Sequence, residues 1–230
     1  MLLNSLLVCA LGAAMTVSAV PSVKVPECPR KGQIVFDKSV PPGSKFPKTQ
    51  VDLCYSTKPS KASPMLHLTF TAYDEQHFHF NPAQGTNDDI WEYSVMEAFI
   101  QRGDEPPQTY LEFEVNPNNV TYQSFIYNPS RVRADDAPFD HAFISDPFGD
   151  GMFAETTLDR PAKTWRSDVQ IPLALFNVAG RNLRGTHWRM NFFRTITSPE
   201  TFPAQQLGAW SPPFKASFHI TPYFGHVIFV

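Results

Sequence analysis

Apolar and polar residues alternate with a period of two in several short segments of this chain. Residues 111–115 read Leu, Glu, Phe, Glu and Val, and residues 65–73 repeat the pattern over a longer stretch. Because successive side chains of a β-strand point to opposite faces, both segments predict strands with one apolar face. Alternating runs, or runs of aromatic and β-branched residues, predict further strands at residues 33–36, 51–55, 122–127, 165–171, 187–196 and 226–230.

Helical periodicity does not extend over any long stretch of the sequence. Residues 172–176 begin with Pro172 and predict one helical turn, because proline is tolerated at the first helical position. Many short strands without strand–helix–strand alternation are typical of all-β folds. The sequence therefore predicts a single-domain antiparallel β-sandwich or jelly roll, in which aromatic side chains, including those of 20 Phe, fill the core.

The first residues indicate the cellular compartment. Residues 1–19 form an apolar stretch that is too short to span a bilayer and ends in Val, Ser and Ala, which predicts a signal peptide cleaved after Ala19. Cleavage would remove Cys9 and leave Cys28 and Cys54, which we expect to form one disulfide in an oxidising compartment. Such a disulfide contributes roughly 3 kcal/mol in the chain-entropy model. The protein is therefore expected to be secreted, or to lie in the lumen of the secretory pathway.

Other features set the domain plan and argue against two kinds of partner. Asn119 begins an Asn-Val-Thr sequon after a turn-like segment, which predicts N-glycosylation. Residues 20–63 are rich in Pro, Lys and Ser, and we expect them to wrap the edge of a sandwich formed by residues 64–230. The formal net charge of −3 provides no basic field for nucleic acid, and no segment after the signal peptide is apolar enough to span a membrane.

Two clusters of aromatic and polar residues carry a family resemblance. Residues 91–100 read Trp-Glu-Tyr-Ser-Val-Met-Glu-Ala-Phe-Ile; residues 188–194 read Trp-Arg-Met-Asn-Phe-Phe-Arg and precede Ala-Trp-Ser-Pro at 209–212. In this order, residues 65–230 resemble the family 9 carbohydrate-binding modules, secreted β-sandwiches that hold a sugar between two tryptophans. The resemblance implies that Trp91 and Trp210 form the aromatic walls of a slot for an oligosaccharide.

The same resemblance implies polar contacts to the sugar. Glu97, Asn191 and Arg194 would hydrogen-bond its hydroxyl groups, and Arg194 would form a charged floor. A continuous strand would separate Trp91 and Glu97 by roughly 20 Å, so Trp91 is expected on a loop that folds back over the sheet. Ser94 stands where members of that family often carry Asp, and this departure weakens the case for polar sugar recognition.

The organisation of the chain indicates a second function for the same slot. A signal peptide, a lone β-sandwich, a high aromatic content and no linker to a catalytic domain resemble the secreted fungal hetero-Diels–Alderases of tropolone sesquiterpenoid biosynthesis. This resemblance implies cofactor-independent pericyclic chemistry, in which the pocket orients an o-quinone methide of a tropolone and a humulene-type alkene and excludes water. We favour this enzyme in fungal secondary metabolism, with carbohydrate binding as the alternative.

The pericyclase hypothesis assigns roles to residues by their chemical type. Its apolar walls are Trp91, Tyr127, Phe193 and Trp210. Arg194, Tyr127 or Gln123 would hydrogen-bond the carbonyl as negative charge develops on it. Glu97 or His219 would assist the dehydration that generates the quinone methide. The hypothesis needs no cofactor and no metal.

Two other interpretations stay open. The tryptophans at 91 and 210 could pack in the core, with Glu97 and Arg194 forming a structural ion pair. His77 and His79 fall on one face of a strand, as in a cupin-type metal site; the candidates for a third imidazole ligand are His187, His219 and His226. The sequence contains no P-loop, dinucleotide fingerprint or Gly-x-Ser-x-Gly motif.

Overall fold

The computed structural model describes residues 19–57, 64–134, 140–178 and 182–230. Residues 1–18 of the predicted signal peptide lie outside this part of the chain. The described residues form thirteen strands: β1 (Ser22–Val25), β2 (Gly32–Lys38), β3 (Lys45–Ser56), β4 (Met65–Ala72), β5 (Val95–Arg102), β6 (Thr109–Val115), β7 (Thr121–Tyr127), β8 (Asp140–Phe143), β9 (Phe153–Asp159), β10 (Thr164–Pro172), β11 (His187–Ile196), β12 (Gln206–Ala209) and β13 (Gly225–Phe229). Short 3-10 helices occur at Ile90–Glu92, Leu173–Phe176 and Thr221–Tyr223.

The strands form two sheets. The larger sheet has the order β1, β13, β11, β5, β6, β7, β8, and β12 pairs with β11 beyond the end of β13. The smaller sheet has the order β2, β3, β4, β10, β9. Neighbouring strands in the described residues are antiparallel except for β1 and β13, which are parallel. The predicted all-β sandwich is confirmed, and the predicted helical turn corresponds to the 3-10 helix that follows Pro172.

Side-chain alternation explains how the two sheets pack. On β5, Met96, Ala98 and Ile100 face the smaller sheet and join the main core, while the residues between them point to the opposite side. The core also buries the rings of Trp165 and Trp188 completely. The opposite face of β5 is buried as well, because Phe99 packs in a second apolar cluster with residues of the chain after β12. Both faces of the central strands β5, β6 and β11 of the larger sheet are therefore covered.

The N-terminal segment, predicted to wrap the domain edge, is part of both sheets. It supplies β1 to the larger sheet and β2 and β3 to the smaller one. The predicted disulfide is confirmed: Cys28 and Cys54 are bonded, with their Cα atoms 5.3 Å apart. It ties the chain just after β1 to the end of β3. Among the described residues, no helix is long and apolar enough to cross a membrane.

A fully buried ion pair lies between the sheets. Arg194 on β11 donates from Nη2 to Oε2 of Glu75 over 3.0 Å, and it donates from Nη1 to the carbonyl oxygen of Tyr73, also over 3.0 Å. Oε1 of Glu75 accepts the backbone N–H groups of His77 and Phe78 at 3.0 Å each. Since a buried charge is costly unless it is paired and hydrogen-bonded, this network holds the loop after β4 against β11.

Replacing one partner of this pair should destabilise the protein strongly. We expect Glu75→Gln to lower the free energy of unfolding by about 3 to 5 kcal/mol, because it leaves the Arg194 charge buried without a counter-ion. Urea unfolding followed by circular dichroism measures the change. Asp168→Asn is the matched control; it removes an exposed Arg166–Asp168 pair and should cost about 1 kcal/mol or less. Equal losses in the two variants would show that the buried pair contributes no more than a surface pair.

Candidate functional site

A cavity of about 380 Å³ lies on the face of the larger sheet that points away from the smaller sheet. Strands β5, β6, β7 and β11 provide its floor, and the 3-10 helix Ile90–Glu92, β8 and parts of residues 205–219 provide its walls. The lining residues are Trp91, Glu97, Glu112, Glu114, Tyr122, Ile126, Arg133, His141, Thr195, Gln205, Leu207, Ala216, Ser217, Phe218 and His219.

Three glutamates on the floor of the cavity are held there by strand register. Leu111, Phe113 and Val115 of β6 enter the core, so the alternation sends Glu112 and Glu114 to the cavity face. Glu114 lies directly opposite Glu97 of β5. We call Glu97, Glu112 and Glu114 the carboxyl cluster; one oxygen of each lies within 4.8 Å of one oxygen of each of the others.

Burial and mutual repulsion keep protons on the carboxyl cluster. Burial, and then the neighbouring carboxylates, raise the pKa of Glu97 and of Glu114 well above the ordinary value. Burial also raises the pKa of Glu112, to about 8, although the Arg133 guanidinium opposes the shift. Near neutral pH the cluster therefore carries fewer than three negative charges. It can act as hydrogen-bond donor, as acceptor, or as a ligand for a cation that displaces the protons.

A tyrosine and a histidine extend this polar floor. The hydroxyl of Tyr110 lies 2.7 Å from Nδ1 of His219, and Nε2 of His219 lies 3.7 Å from Oε1 of Glu112. Burial lowers the pKa of His219 to about 3, so its imidazole is neutral at neutral pH. The His219–Glu112 contact is therefore not an ion pair under these conditions.

Trp91 forms an aromatic wall at the mouth of the cavity. It sits on the 3-10 helix before β5, anchored by the buried neighbour Ile90, and 47% of its surface is exposed. Its indole N–H donates to Oδ1 of Asp89 over 3.3 Å, and Gln205 donates to its backbone oxygen over 2.8 Å. The loop position expected from the six-residue spacing to Glu97 is thus what the structure shows, and the exposed ring offers a flat apolar surface.

The structure brings Trp91, Glu97 and His219 together at the cavity, but it places Trp210 and Arg194 elsewhere. Trp210 is partly buried against the main core, with its ring centroid 6.0 Å from that of Phe192. Phe193 is the residue opposite Glu97, so Arg194 points to the other face of the sheet, into the ion pair between the sheets. The expected slot with two tryptophan walls and an arginine floor is therefore not formed.

The remaining predicted residues also lie away from the cavity lining. Asn191 is buried and hydrogen-bonds the backbone of Ser211 with both its amide atoms. Gln123 faces the core side and donates to Oδ1 of Asn87 over 2.7 Å. Two of the predicted aromatic walls differ in burial. Phe193 is fully buried beneath Phe218, and Tyr127 is half exposed at the end of β7.

The histidines expected for a cupin-type site do not converge. His79 contacts the hydroxyl of Thr197 at 2.9 Å, while His187 and His226 lie beside Asp104 and Arg189. In the described part of the chain, the group with the spacing of a metal site is the carboxyl cluster. Glu112 and Glu114 are not among the site residues predicted from the sequence, although the alternation of β6 places both on one face.

Comparison with known proteins shows what this chain is similar to. No family model matches the sequence. An extracellular protein of Arthroderma benhamiae is 55% identical over 230 residues, which are the whole of both chains. The chain belongs to the same family as this extracellular protein. Together with the Cys28–Cys54 disulfide, this relationship confirms the expected location in the secretory pathway or outside the cell.

Solved structures confirm the predicted fold. A candidate carbohydrate-binding protein from Bacteroides uniformis aligns with a TM-score of 0.61 and 18% identity, over 92% of this chain and 100% of that one. A family 9 carbohydrate-binding module from Caldicellulosiruptor kristjanssonii in complex with cellotriose aligns with a TM-score of 0.57 and 12% identity, over 90% and 93% of the two chains. Its complex with glucose gives the same score and identity over 91% and 95%. At these identities the likeness shows a shared β-sandwich.

The raised pKa values of the carboxyl cluster predict how stability depends on pH. Between pH 6.5 and 8 the folded state retains protons that the unfolded state has lost, so the free energy of unfolding should fall as pH rises. The slope is at most about 1.4 kcal/mol per pH unit for each carboxyl. The lowered pKa of His219 acts in the opposite direction, but only below about pH 6.5.

Urea unfolding at pH 6.5, 7.25 and 8 in buffers free of divalent cations measures this slope. Glu112→Gln should flatten it, because the amide does not titrate. Stability that stays constant or increases from pH 6.5 to 8 would show that the cluster is ionised in the folded protein.

Proposed function

We propose that this protein binds carbohydrate in the cavity on the outer face of the larger sheet. The observation that carries the proposal is the combination of a half-exposed tryptophan ring with a buried hydrogen-bonding floor in one concave site. The structural relatives include a family 9 module in complex with cellotriose and with glucose, which supports this assignment. A sugar ring would lie against Trp91, and its hydroxyl groups would reach the carboxyl cluster.

The floor matches the hydrogen-bonding needs of a sugar. A sugar hydroxyl both donates and accepts, and a partly protonated carboxyl cluster also does both. The neutral His219 and the hydroxyl of Thr195, which lies 3.4 Å from Oε1 of Glu97, add further polar groups. Since buried polar groups without partners are costly, a ligand with many hydroxyl groups suits this floor better than a hydrocarbon does.

Two exposed aromatic rings lie at or beside the cavity. Phe143 on β8 is 46% exposed, and its ring centroid lies 4.6 Å from that of His141, a wall residue. Trp91 contributes a second exposed ring from the 3-10 helix before β5. Exposed aromatic rings at separate points of a polar cavity suit an oligosaccharide, whose apolar ring faces recur along the chain.

The hetero-Diels–Alderase hypothesis stays a prediction, and the cavity gives it less support. That chemistry needs a deep, mostly apolar pocket, whereas three carboxyl groups form this floor. Of its four proposed aromatic walls, only Trp91 lines the cavity. Glu97 and His219 remain available to it as acid or base groups, with the pKa of Glu97 raised by burial.

A change at Trp91 tests the carbohydrate proposal. Trp91→Ala should weaken the binding of cello- or xylo-oligosaccharides at least tenfold, about 1.4 kcal/mol, because it removes the stacking surface. Intrinsic fluorescence titration and calorimetry of the secreted protein measure this loss. Glu92→Gln, an exposed neighbour outside the lining, and Trp210→Phe should leave the affinity unchanged.

Three outcomes would contradict the proposal. The first is no saturable response to any oligosaccharide, and the second is equal affinity in Trp91→Ala and the wild type. The third is a response only to a tropolone-type aromatic, which would restore the pericyclase to first place and lead to a cycloaddition assay with a humulene-type alkene.

A further inference from the structure

We propose that Glu97, Glu112 and Glu114 bind a divalent cation of the calcium type at the floor of the cavity. Calcium–oxygen distances are about 2.3 to 2.6 Å, so two oxygens on one ion lie at most about 5 Å apart. One oxygen from each of the three carboxyl groups satisfies this limit, because all of them lie within 4.8 Å of one another. This spacing is therefore compatible with one ion shared by all three side chains.

An unpartnered oxygen supplies a second, independent indication. The Glu114 carboxyl shares a hydrogen bond with Glu112 inside the cluster, but its buried Oε2 has no hydrogen-bond partner among the described residues, and the whole residue is only 1% exposed. A buried carboxyl oxygen without a partner is costly, and native structures usually satisfy such atoms with an ordered group. Glu114 lines the cavity, so this oxygen lies where an ion entering from the mouth would meet it.

The charges around the cluster are consistent with a divalent ion. Three ionised carboxylates would face one nearby cation of the protein, Arg133, whose field acts on Glu112. A divalent ion together with Arg133 would neutralise the three negative charges. Glu97 and Glu114 stand directly opposite each other across β5 and β6, where two like charges would be destabilising, so both can be ionised together at less cost when a cation lies between them.

The scaffold and the ligand types favour calcium over zinc. The ligands are carboxyl groups on two adjacent strands of a central sheet, and the hydroxyl of Thr195 beside Glu97 adds another oxygen. Oxygen ligands suit calcium, and water in the cavity can complete its six to eight contacts. Extracellular calcium sites have dissociation constants of about 10⁻⁴ to 10⁻³ M, which fits a secreted protein.

Calorimetry on the intact secreted protein tests the site. After treatment with EDTA and dialysis, CaCl₂ should bind with one ion per chain and a dissociation constant of about 10⁻⁴ to 10⁻³ M, and it should raise the melting temperature. Glu114→Gln and Glu97→Gln should each weaken binding at least tenfold. Their melting temperatures without calcium should equal or exceed that of the wild type, because each change removes one of two opposed carboxyl groups.

Glu155→Gln serves as the control. The change removes a carboxyl group from β9 of the smaller sheet, which does not line the cavity, and the variant should bind calcium like the wild type.

The proposal is overturned by absence of calcium binding, by unchanged calcium affinity in both cluster variants, or by ZnCl₂ binding more tightly than CaCl₂. Sugar binding measured in the presence of EDTA distinguishes a failure of the calcium site from a failure of the proposed carbohydrate site. Sugar binding without calcium binding refutes the ion site alone, and calcium binding without sugar binding refutes the carbohydrate site alone.

Discussion

The central strands of the larger sheet have both of their faces covered, and this constraint decides where each of their side chains can go. Along β5, β6 and β11, one set of alternate residues packs against the smaller sheet, and the other set lies beneath the 3-10 helix Ile90–Glu92 and the chain after β12. A shift of one residue would exchange the two sets. Register therefore sends the three glutamates of the cluster into a second, nearly buried layer instead of into solvent.

The two buried groups of ionisable side chains differ in how their charges are balanced. Arg194 and Glu75 neutralise each other between the sheets and bond to the backbone, so the charges of that pair are balanced although Nε of Arg194 has no hydrogen-bond partner among the described residues. The carboxyl cluster has three carboxyl groups, and among the described residues that line the cavity it faces a single arginine, Arg133. It also keeps one oxygen without a hydrogen bond and borders a cavity. An arrangement that lowers stability and faces a cavity is expected at a functional site more than in a core. The proposed carbohydrate binding and the proposed cation binding would both make use of it.

Local pattern predicted much of the fold, whereas register and loop position decided the site. Alternation in residues 111–115 predicted β6 and its two faces, and the spacing of Trp91 and Glu97 predicted that Trp91 leaves the strand. Strand β5 was missed because residues on both of its faces are buried, which removes the alternation. Arg194 was assigned to the wrong face because its side depends on the pairing of Phe193 with Glu97. That pairing is a long-range contact that the sequence does not display.

If Trp91 and the carboxyl cluster form the ligand site, the indole N–H resonance of Trp91 should respond to the ligand. The chain has four tryptophans, so a ¹H–¹⁵N spectrum should show four indole peaks, to be assigned by Trp→Phe substitution. Titration with cellotriose or xylotriose should shift the Trp91 peak in a saturable way and leave those of the buried Trp165 and Trp188 in place. A saturable shift at Trp210 with none at Trp91, or no shift with any oligosaccharide, would contradict this assignment of the site.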